Sequence, residues 1–531
     1  MPDTSRAPRW AWLGIAVLMT FFAFPHPVAG RVLDLGQACS FLAPAFLVVG
    51  LRGLTPRAAL GIGFLTGTVA YAAVLHWIYV VTVSYGNAWP AVGVVAVVLM
   101  GGIVGAFTAT WAGVCAWLAA RGVSHPLAIA VVWVVVDHLR SFIFGGFPWA
   151  TLGYGLHADP ALSGLVTVTG VYGLSFSAVT GGAALAMWRV RRRAALEALA
   201  VLAMLYGAGA TLGWLAPPDD GPIVRVGMLQ GNIDQGVKWS PDWAERTLGI
   251  YEALTREAAD AGAEWILWPE TAVPGSPDVD VELRARLGAL AEEVGATLVV
   301  GAVGVEGFDP VTRTPRGIVR YFDSAFLLAP DGSQTDRYDK THLVPFGEYV
   351  PLRDFLGRFL EGIATGVTTG DVTAGGRPRA IALALRTEPD TAVGVPICYE
   401  LLFPDLMRRF AGDGARALLA ITNDAWYGRT GAPHQFLVMT AMRAAESRLW
   451  TARAANTGIS ALIDARGQVR EHTGVFERGV LVGDLRLARS DAESTFYVRH
   501  GDVFAGACWL AAAALALVGW RNKVSRRDGD E

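Results

Sequence analysis

The sequence predicts a multi-pass α-helical membrane bundle joined to a water-facing α/β domain, and three observations carry that reading. Of 531 residues, 53% are apolar and only 17% charged, whereas soluble domains carry about 25% charge. Eight apolar runs approach the ~20 residues that a helix needs to cross a bilayer. Between the seventh and the eighth, short apolar runs alternate with amphipathic stretches, the pattern of a sheet layered with helices. The net charge of -3 is too near neutral for a nucleic-acid partner, and its distribution matters more than its sum. Up to Ala216 the only acids are Asp3, Asp34, Asp137, Asp159 and Glu197, while acids and arginines are dense from Asp219 to Asp502.

The expected spans are Trp10–Phe24, Leu35–Gly50, Ala58–Val83, Trp89–Ala120, Pro126–Phe144, Ala161–Val190, Ala194–Ala216 and Val503–Trp520. The first also reads as a cleaved signal peptide with a poor site at Pro27-Val28-Ala29-Gly30. Basic residues cluster in alternate loops: Arg6 and Arg9, Arg52 and Arg57, Arg121, Arg189 to Arg193, and Arg521 to Arg527. Cytoplasmic loops retain Lys and Arg, so these loops share the cytoplasmic side and an odd number of spans puts the α/β region outside it. The expected divisions are residues 1–217 (membrane part), 218–501 (extracytoplasmic domain) and 502–531 (last span and basic tail). Asp137, His138 and Arg140 lie in the fifth span. Two readings stand for them, a functional site at membrane depth and a pairing near a helix end.

Strands are expected at Ile223–Leu229, Trp265–Trp268, Thr297–Val303, Tyr321–Leu328, Ala380–Leu385, Ala392–Ile397, Ala417–Thr422 and Ile459–Asp464. Helices are expected at Pro241–Ala261, Val279–Val294, Leu352–Ile363, Pro404–Ala411 and Gln435–Ala452. No Gly-rich phosphate loop and no metal-ligand spacing appears, and no cofactor is implied.

Three segments carry unusual chemistry. One strand runs into Trp268-Pro269-Glu270-Thr271, leaving a carboxylate at a rigid exit. A second segment, Tyr338 to Tyr349, holds Lys340 and Glu348. A third, Val395-Pro396-Ile397-Cys398-Tyr399-Glu400, ends a strand on a cysteine. Cys39, Cys115 and Cys508 lie in apolar spans, so Cys398 alone faces the aqueous domain. A leftover cysteine outside the cytoplasm is either a reactive thiol or a buried inert one. Lysine is rarer still: Lys238, Lys340 and Lys523 are the only three, and a position kept as Lys among many Arg is one that needs a compact amine, unless it is merely a solvated cation. Taken together, Glu270 as base, Cys398 as nucleophile and Lys340 as electrophilic stabiliser make a thiol-based acyl-transfer site.

These motifs, WPET, YDKTHLVPFGEY, VPICYE and TNDAWYG, resemble the Glu-Lys-Cys carbon-nitrogen hydrolase (nitrilase) superfamily. With seven spans before them and one after, the chain resembles its apolipoprotein N-acyltransferase branch, over nearly the whole length. The resemblance implies a nitrilase-type α-β-β-α sandwich on a membrane bundle, near the outer face of a bacterial inner membrane. It implies transfer of a fatty acyl chain from a phospholipid donor to the α-amine of a lipoprotein's N-terminal S-diacylglyceryl-cysteine, with Glu270, Lys340 and Cys398 as the triad. Glu348 and Glu400 match further acidic positions, and Trp239 and Tyr399 match site-lining ones. Tyr427 stands where Phe is common, and Asp137 where Glu is expected before Arg140. The nearest rival is a membrane-anchored amidase or nitrilase, which passes the acyl group to water.

The acylation expected from these residues is attack of Cys398 on an ester carbonyl, with Lys340 and the Tyr399 backbone N–H on the oxyanion and Glu270 moving the proton. Leu352, Phe355, Leu356, Phe359, Leu360 and Ile363 recur at helical spacing and are expected either as an interfacial lid or as core packing. Phe147-Pro148-Trp149 and Tyr154 are expected either to border a lipid entry or to serve as interfacial anchors, the anchor reading being preferred.

Overall fold

A computed structural model describes residues 8–238, 240–309, 312, 314–345, 347–349, 372–383 and 391–527. Trp239 and the expected helix Leu352–Ile363 lie outside the described residues, as does the end of the expected strand Ala380–Leu385.

Helices stand at all eight expected spans: α1 (Arg9–Phe22), α2 (Gly36–Leu51), α3 (Pro56–Val74), α4 (Pro90–Ala119), α5 (Pro126–Arg140), α6 (Val171–Met187), α7 (Arg192–Trp214) and, after the α/β domain, the helix Val503–Arg527. Four of them, α3, α4, α7 and Val503–Lys523, are long and apolar enough to cross a membrane. The sixth span is broken: Ser163–Thr169 and α6 meet at 118°, because Gly170 takes φ 60, open to a residue without Cβ. With 14, 16 and 15 residues, α1, α2 and α5 fall short of a full crossing by themselves. The Arg-bearing loops meet one another: Arg9 donates to the carbonyl of Arg52 (3.2 Å), Arg52 to that of Ala186 (2.5 Å), and Asn522 to that of Arg121 (2.8 Å).

The α/β domain is built on two six-stranded sheets. Its elements are β1 (Ile223–Gln230), α8 (Pro241–Asp260), β2 (Trp265–Leu267), α9 (Val281–Val294), β3 (Thr297–Asp309), β4 (Thr314–Leu328), β5 (Gln334–Asp339), β6 (Ala380–Ala382), β7 (Ala392–Gly394), α10 (Pro404–Gly412), β8 (Leu418–Thr422), α11 (Ala432–Ser447), β9 (Thr451–Ala455), β10 (Ala461–Ile463), β11 (Val469–His472) and β12 (Gly479–Arg486). The strand orders are β12-β1-β2-β3-β4-β5 and β11-β10-β9-β8-β7-β6. Parallel pairs (β1 with β2, β2 with β3, β7 with β8, β8 with β9) form both sheet centres, and antiparallel pairs the edges.

Alternation along each strand sorts side chains between two layers. Val226, Trp265, Leu267, Val299, Ala325 and Leu327 pack with Val393, Leu418 and Ala452 between the sheets. Ile266, Leu298, Val300 and Phe326 pack on the other face, with Leu254 of α8 and Leu287 of α9. The result is helix, sheet, sheet, helix, the expected sandwich. In this domain four described strands escaped the sequence reading, β5, β9, β11 and β12. The expected helix to Ala452 ends at Ser447, where Arg448 takes φ 54, and its last residues form β9.

The core between the sheets continues into the membrane part. Trp149 is buried there, not set at an interface as expected: its indole N–H donates to Gln435 Oε1 of α11 (2.8 Å) and its ring packs on Trp77, Tyr427 and Phe436. Tyr154 is buried as well, and its hydroxyl accepts from Arg443 of α11 (3.1 Å). Arg140 pairs with Asp137 (3.4 Å) and donates to the Trp149 carbonyl (3.1 Å) and the Thr151 hydroxyl (3.0 Å). Trp133 and Ser175 donate to the other Asp137 oxygen. For Asp137 and Arg140 this is the pairing reading, and its product is a loop held against the α/β domain; His138 instead lies against Asp502 (3.6 Å).

Candidate active site

Three strand ends deliver the expected residues to one point. After β2, the rigid Trp268-Pro269 exit sets down Glu270, and Thr271 next to it has φ 46. After β5, the Lys340 N–H bonds the Asp323 carbonyl (2.8 Å), which extends the β4 pairing by one residue. After β7, the chain passes Pro396 and Ile397 to Cys398, which has φ 45 and opens a short 3-10 turn, Cys398–Leu402. Positive φ strains a residue with a Cβ, and such strain is held only where the surroundings fix it. Glu400 does that fixing. Its Oε2 accepts from the Ile397 N–H (2.8 Å) and its Oε1 from the Thr341 N–H (2.8 Å), the Thr341 hydroxyl (2.7 Å) and the Tyr338 hydroxyl (2.7 Å). Glu400 thus ties the cysteine turn to the lysine segment.

Lys340 is fully buried, and its ammonium donates to Glu270 Oε1 (2.9 Å), Asp323 Oδ2 (3.2 Å) and Glu348 Oε1 (2.5 Å). An ammonium has three donors, and here each meets a carboxyl group. The three carboxyls converge closely enough to hold a metal ion, and the lysine fills that role as their cation. Glu348 is oriented in turn by the Val344 N–H (2.9 Å). Burial disfavours the charged ammonium of Lys340, but the adjacent carboxyls, Glu270 foremost, outweigh it and hold the amine protonated, its pKa well above the ordinary range.

The Cys398 thiol neighbours Glu270, close enough to help lower its pKa. Burial and the Glu270 charge push the thiol well above its ordinary pKa, against Lys340 and the Asn423 backbone N–H, which act the other way. Cys398 is therefore a thiol at rest, needing a base. Glu270 is that neighbour: burial raises it, but Lys340 and hydrogen bonds from Asp323, Lys340 and Cys398 bring it below the usual carboxylate range. Tyr399 donates to the Gly146 carbonyl of the membrane part (3.2 Å), and His342 bonds the Gly145 carbonyl (3.0 Å). Trp239 lies outside the described residues.

Two groups at the site went unassigned from sequence. Lys238 is buried, donating to the Glu270 carbonyl (3.2 Å) and the Thr271 hydroxyl (2.6 Å). Burial pushes it down to about 8, against the opposing charge of Glu270. Lysine scarcity was its signal. Asp323 is the one acid in the Tyr321–Leu328 run, on the same strand face as Ala325 and Leu327, and that inward register was its signal.

Residues 225–492 match the carbon-nitrogen hydrolase family, and residues 16–184 match the apolipoprotein N-acyltransferase N-terminal domain. The chain is 36% identical to the apolipoprotein N-acyltransferase of Geobacter metallireducens, over 98% of both chains, and 34% identical to that of Pseudomonas syringae pv. tomato, over 91% of both. Among solved structures it is similar to an amidase of the nitrilase superfamily from Nesterenkonia, at 20% identity and a TM-score of 0.39, over 56% of this chain and 99% of that one. A membrane bundle with long apolar helices, a two-sheet sandwich and near full-length relatives place the chain in the apolipoprotein N-acyltransferase family.

Proposed function

We propose that this acyltransferase works through a thioester on Cys398, with Glu270 and Lys340 as its partners, and that its donor is a membrane phospholipid. The observation that supports this most directly is the gathering of one thiol, one carboxylate and one ammonium in a buried site, with Lys340 at 2.9 Å from Glu270 and the Cys398 thiol beside it. Cys398 attacks the ester carbonyl while Glu270 accepts the thiol proton, and Lys340 with the Tyr399 backbone N–H holds the oxyanion. Glu270 returns the proton to the departing glycerol oxygen, leaving a thioester. The acceptor is the α-amine of an S-diacylglyceryl-cysteine at a lipoprotein's N-terminus. It attacks the thioester as Glu270 takes its proton; the C–S bond breaks, an amide forms, and Glu270 returns the proton to the departing Cys398 sulfur, giving two-step kinetics. Glu348 orients Lys340, Glu400 braces the turn of Cys398, and Trp239 and Tyr399 line the acyl site.

The expected location is the bacterial inner membrane, with residues 218–501 on its outer face between the 1–217 bundle and the 502–531 span. Long acyl chains leave a bilayer at about 0.8 kcal/mol per CH₂, so a membrane-level site suits both substrates. The test incubates purified protein with phospholipid and measures the mass of the Cys398 peptide. An acyl-sized increase, absent in Cys398→Ala and discharged by a diacylglyceryl peptide with formation of its amide, is expected. No increase in the wild type, or discharge to water alone, overturns the reading.

A further inference from the structure

Asp323 approaches the site with one oxygen that the ion pairs do not explain. Its Oδ2 accepts from Lys340 at 3.2 Å, but its Oδ1 is fully buried and meets no donor among the described residues. The Asp323 and Glu270 carboxyls share the Lys340 ammonium, with an oxygen of each within 4.8 Å of the other. Two ionised carboxylates have acceptors only, so such a contact is repulsive unless one of them carries a proton. We infer that Asp323 is a protonated carboxylic acid that donates its hydrogen bond to the Glu270 carboxylate, and that it is a positioning residue for the general base.

Geometry decides which partner holds the proton. Glu270 has the closer contact to Lys340, 2.9 Å against 3.2 Å, and also has the Cys398 thiol beside it. Hydrogen bonds to the charged form favour it, so the charge rests on Glu270 and the proton on Asp323. Burial first, then the Glu270 charge, push Asp323 far above the usual carboxylate range, although Lys340 opposes them. The charged and titratable groups facing Asp323 are Glu270, Lys340, Glu348 and Lys238.

A charge count gives the same answer. With Asp323 ionised, three carboxylates would face the two ammonium groups of Lys340 and Lys238, leaving net negative charge beside a cysteine that must become a thiolate. With Asp323 neutral the site balances, and proton transfer from Cys398 to Glu270 creates no additional net charge. The proton on Asp323 stays in place through that step. It fixes the rotation of the Glu270 carboxyl, leaving a lone pair aimed at the thiol.

This inference rests on Glu270 as the base for Cys398, and its test separates the two ideas. Infrared spectra of the resting protein in H₂O and D₂O need no turnover. Wild type minus Asp323→Asn is expected to show an isotope-sensitive carbonyl stretch of a protonated carboxyl, and its absence overturns the proposal whether or not Cys398 is acylated. In the acylation assay Asp323→Asn, whose amide can both donate to Glu270 and accept from Lys340, is expected within about threefold of wild type with the acid limb of its pH profile in place. Asp323→Ala loses that hydrogen bond to a charged group, a loss of about 10-fold to 100-fold. If Asp323→Asn falls as far as Asp323→Ala while both elute as folded protein, an ionised Asp323 is required and the proposal fails. If the band is present but wild type forms no adduct, the thioester reading fails and the protonated Asp323 stands.

Discussion

Burying an ammonium costs several kcal/mol unless partners repay its lost hydration, and at Lys340 three carboxyl groups do so. Arginine would not serve, because its planar fork cannot point three donors at three converging acids. Lys238 is the less settled of the two buried lysines, with burial pushing it down to about 8. Below that pH it is charged both folded and unfolded. Between about 8 and the ordinary 10.5 the folded amine is neutral while the unfolded one still binds a proton, so folding releases protons and stability rises with pH across that window. Activity runs the other way, since the neutral amine no longer places a charge beside Glu270. We predict an alkaline decline in kcat/KM centred near pH 8, replaced in Lys238→Met by a lower activity without that decline. A pH–rate series on both proteins checks it, and an identical decline in the variant would assign it elsewhere.

At the scale of elements, the left-handed backbone of Cys398 depends on Glu400, a carboxylate that accepts four hydrogen bonds while fully buried. Glu400→Gln keeps the shape but turns one acceptor into a donor. It leaves either the Ile397 N–H or the three donors around Oε1 facing an N–H group. The expected cost is about 1–3 kcal/mol, read as a lowered thermal midpoint together with at least tenfold slower acylation of Cys398. A lowered midpoint with unchanged acylation would show that Glu400 supports the fold without setting the turn.

Element reading from sequence succeeded where a strand is mostly apolar, as at β2, β8 and the first half of β3. It failed at β9, where Thr451–Ala455 carries Arg453 in a sequence that also suits a helix. Arg453 is fully buried and paired with Asp424 (2.7 Å). A buried charge is tolerable only because that partner lies 29 positions away, which no local pattern reveals.

Across the whole molecule, the membrane part and the α/β domain share one core, and Trp149 is buried in it. Gln435 joins the two parts from the other side, accepting from Trp149 (2.8 Å) and donating to the Pro25 carbonyl (3.4 Å). Removing a buried Trp costs about 3–5 kcal/mol. Trp149→Ala is therefore expected to loosen the junction, seen as faster protease cleavage between the two parts and loss of acyl transfer from vesicle phospholipid. Unchanged cleavage and turnover would mean that the junction does not depend on this ring. The loops through Gly145 and Gly146 reach the site itself, where their carbonyls meet His342 and Tyr399, so loosening there also disturbs the site.

The sequence by itself determined the two materials of the chain, the positions of the eight apolar helices, the sandwich's main strands and the motifs bearing Glu270, Lys340 and Cys398. Each of these is a local property, written in hydrophobic period or in a short run of unusual residues. Only the tertiary structure decided that Glu348 and Asp323 share Lys340 with Glu270, that Glu400 braces Cys398, that Lys238 clamps the Glu270 exit, and that Trp149 belongs to a core. Those facts turn on compensation between groups far apart in the chain, since a buried charge or a strained turn is stable only with its partners in place. The ends of strands drawn from both sheets had to meet before the partners could be identified.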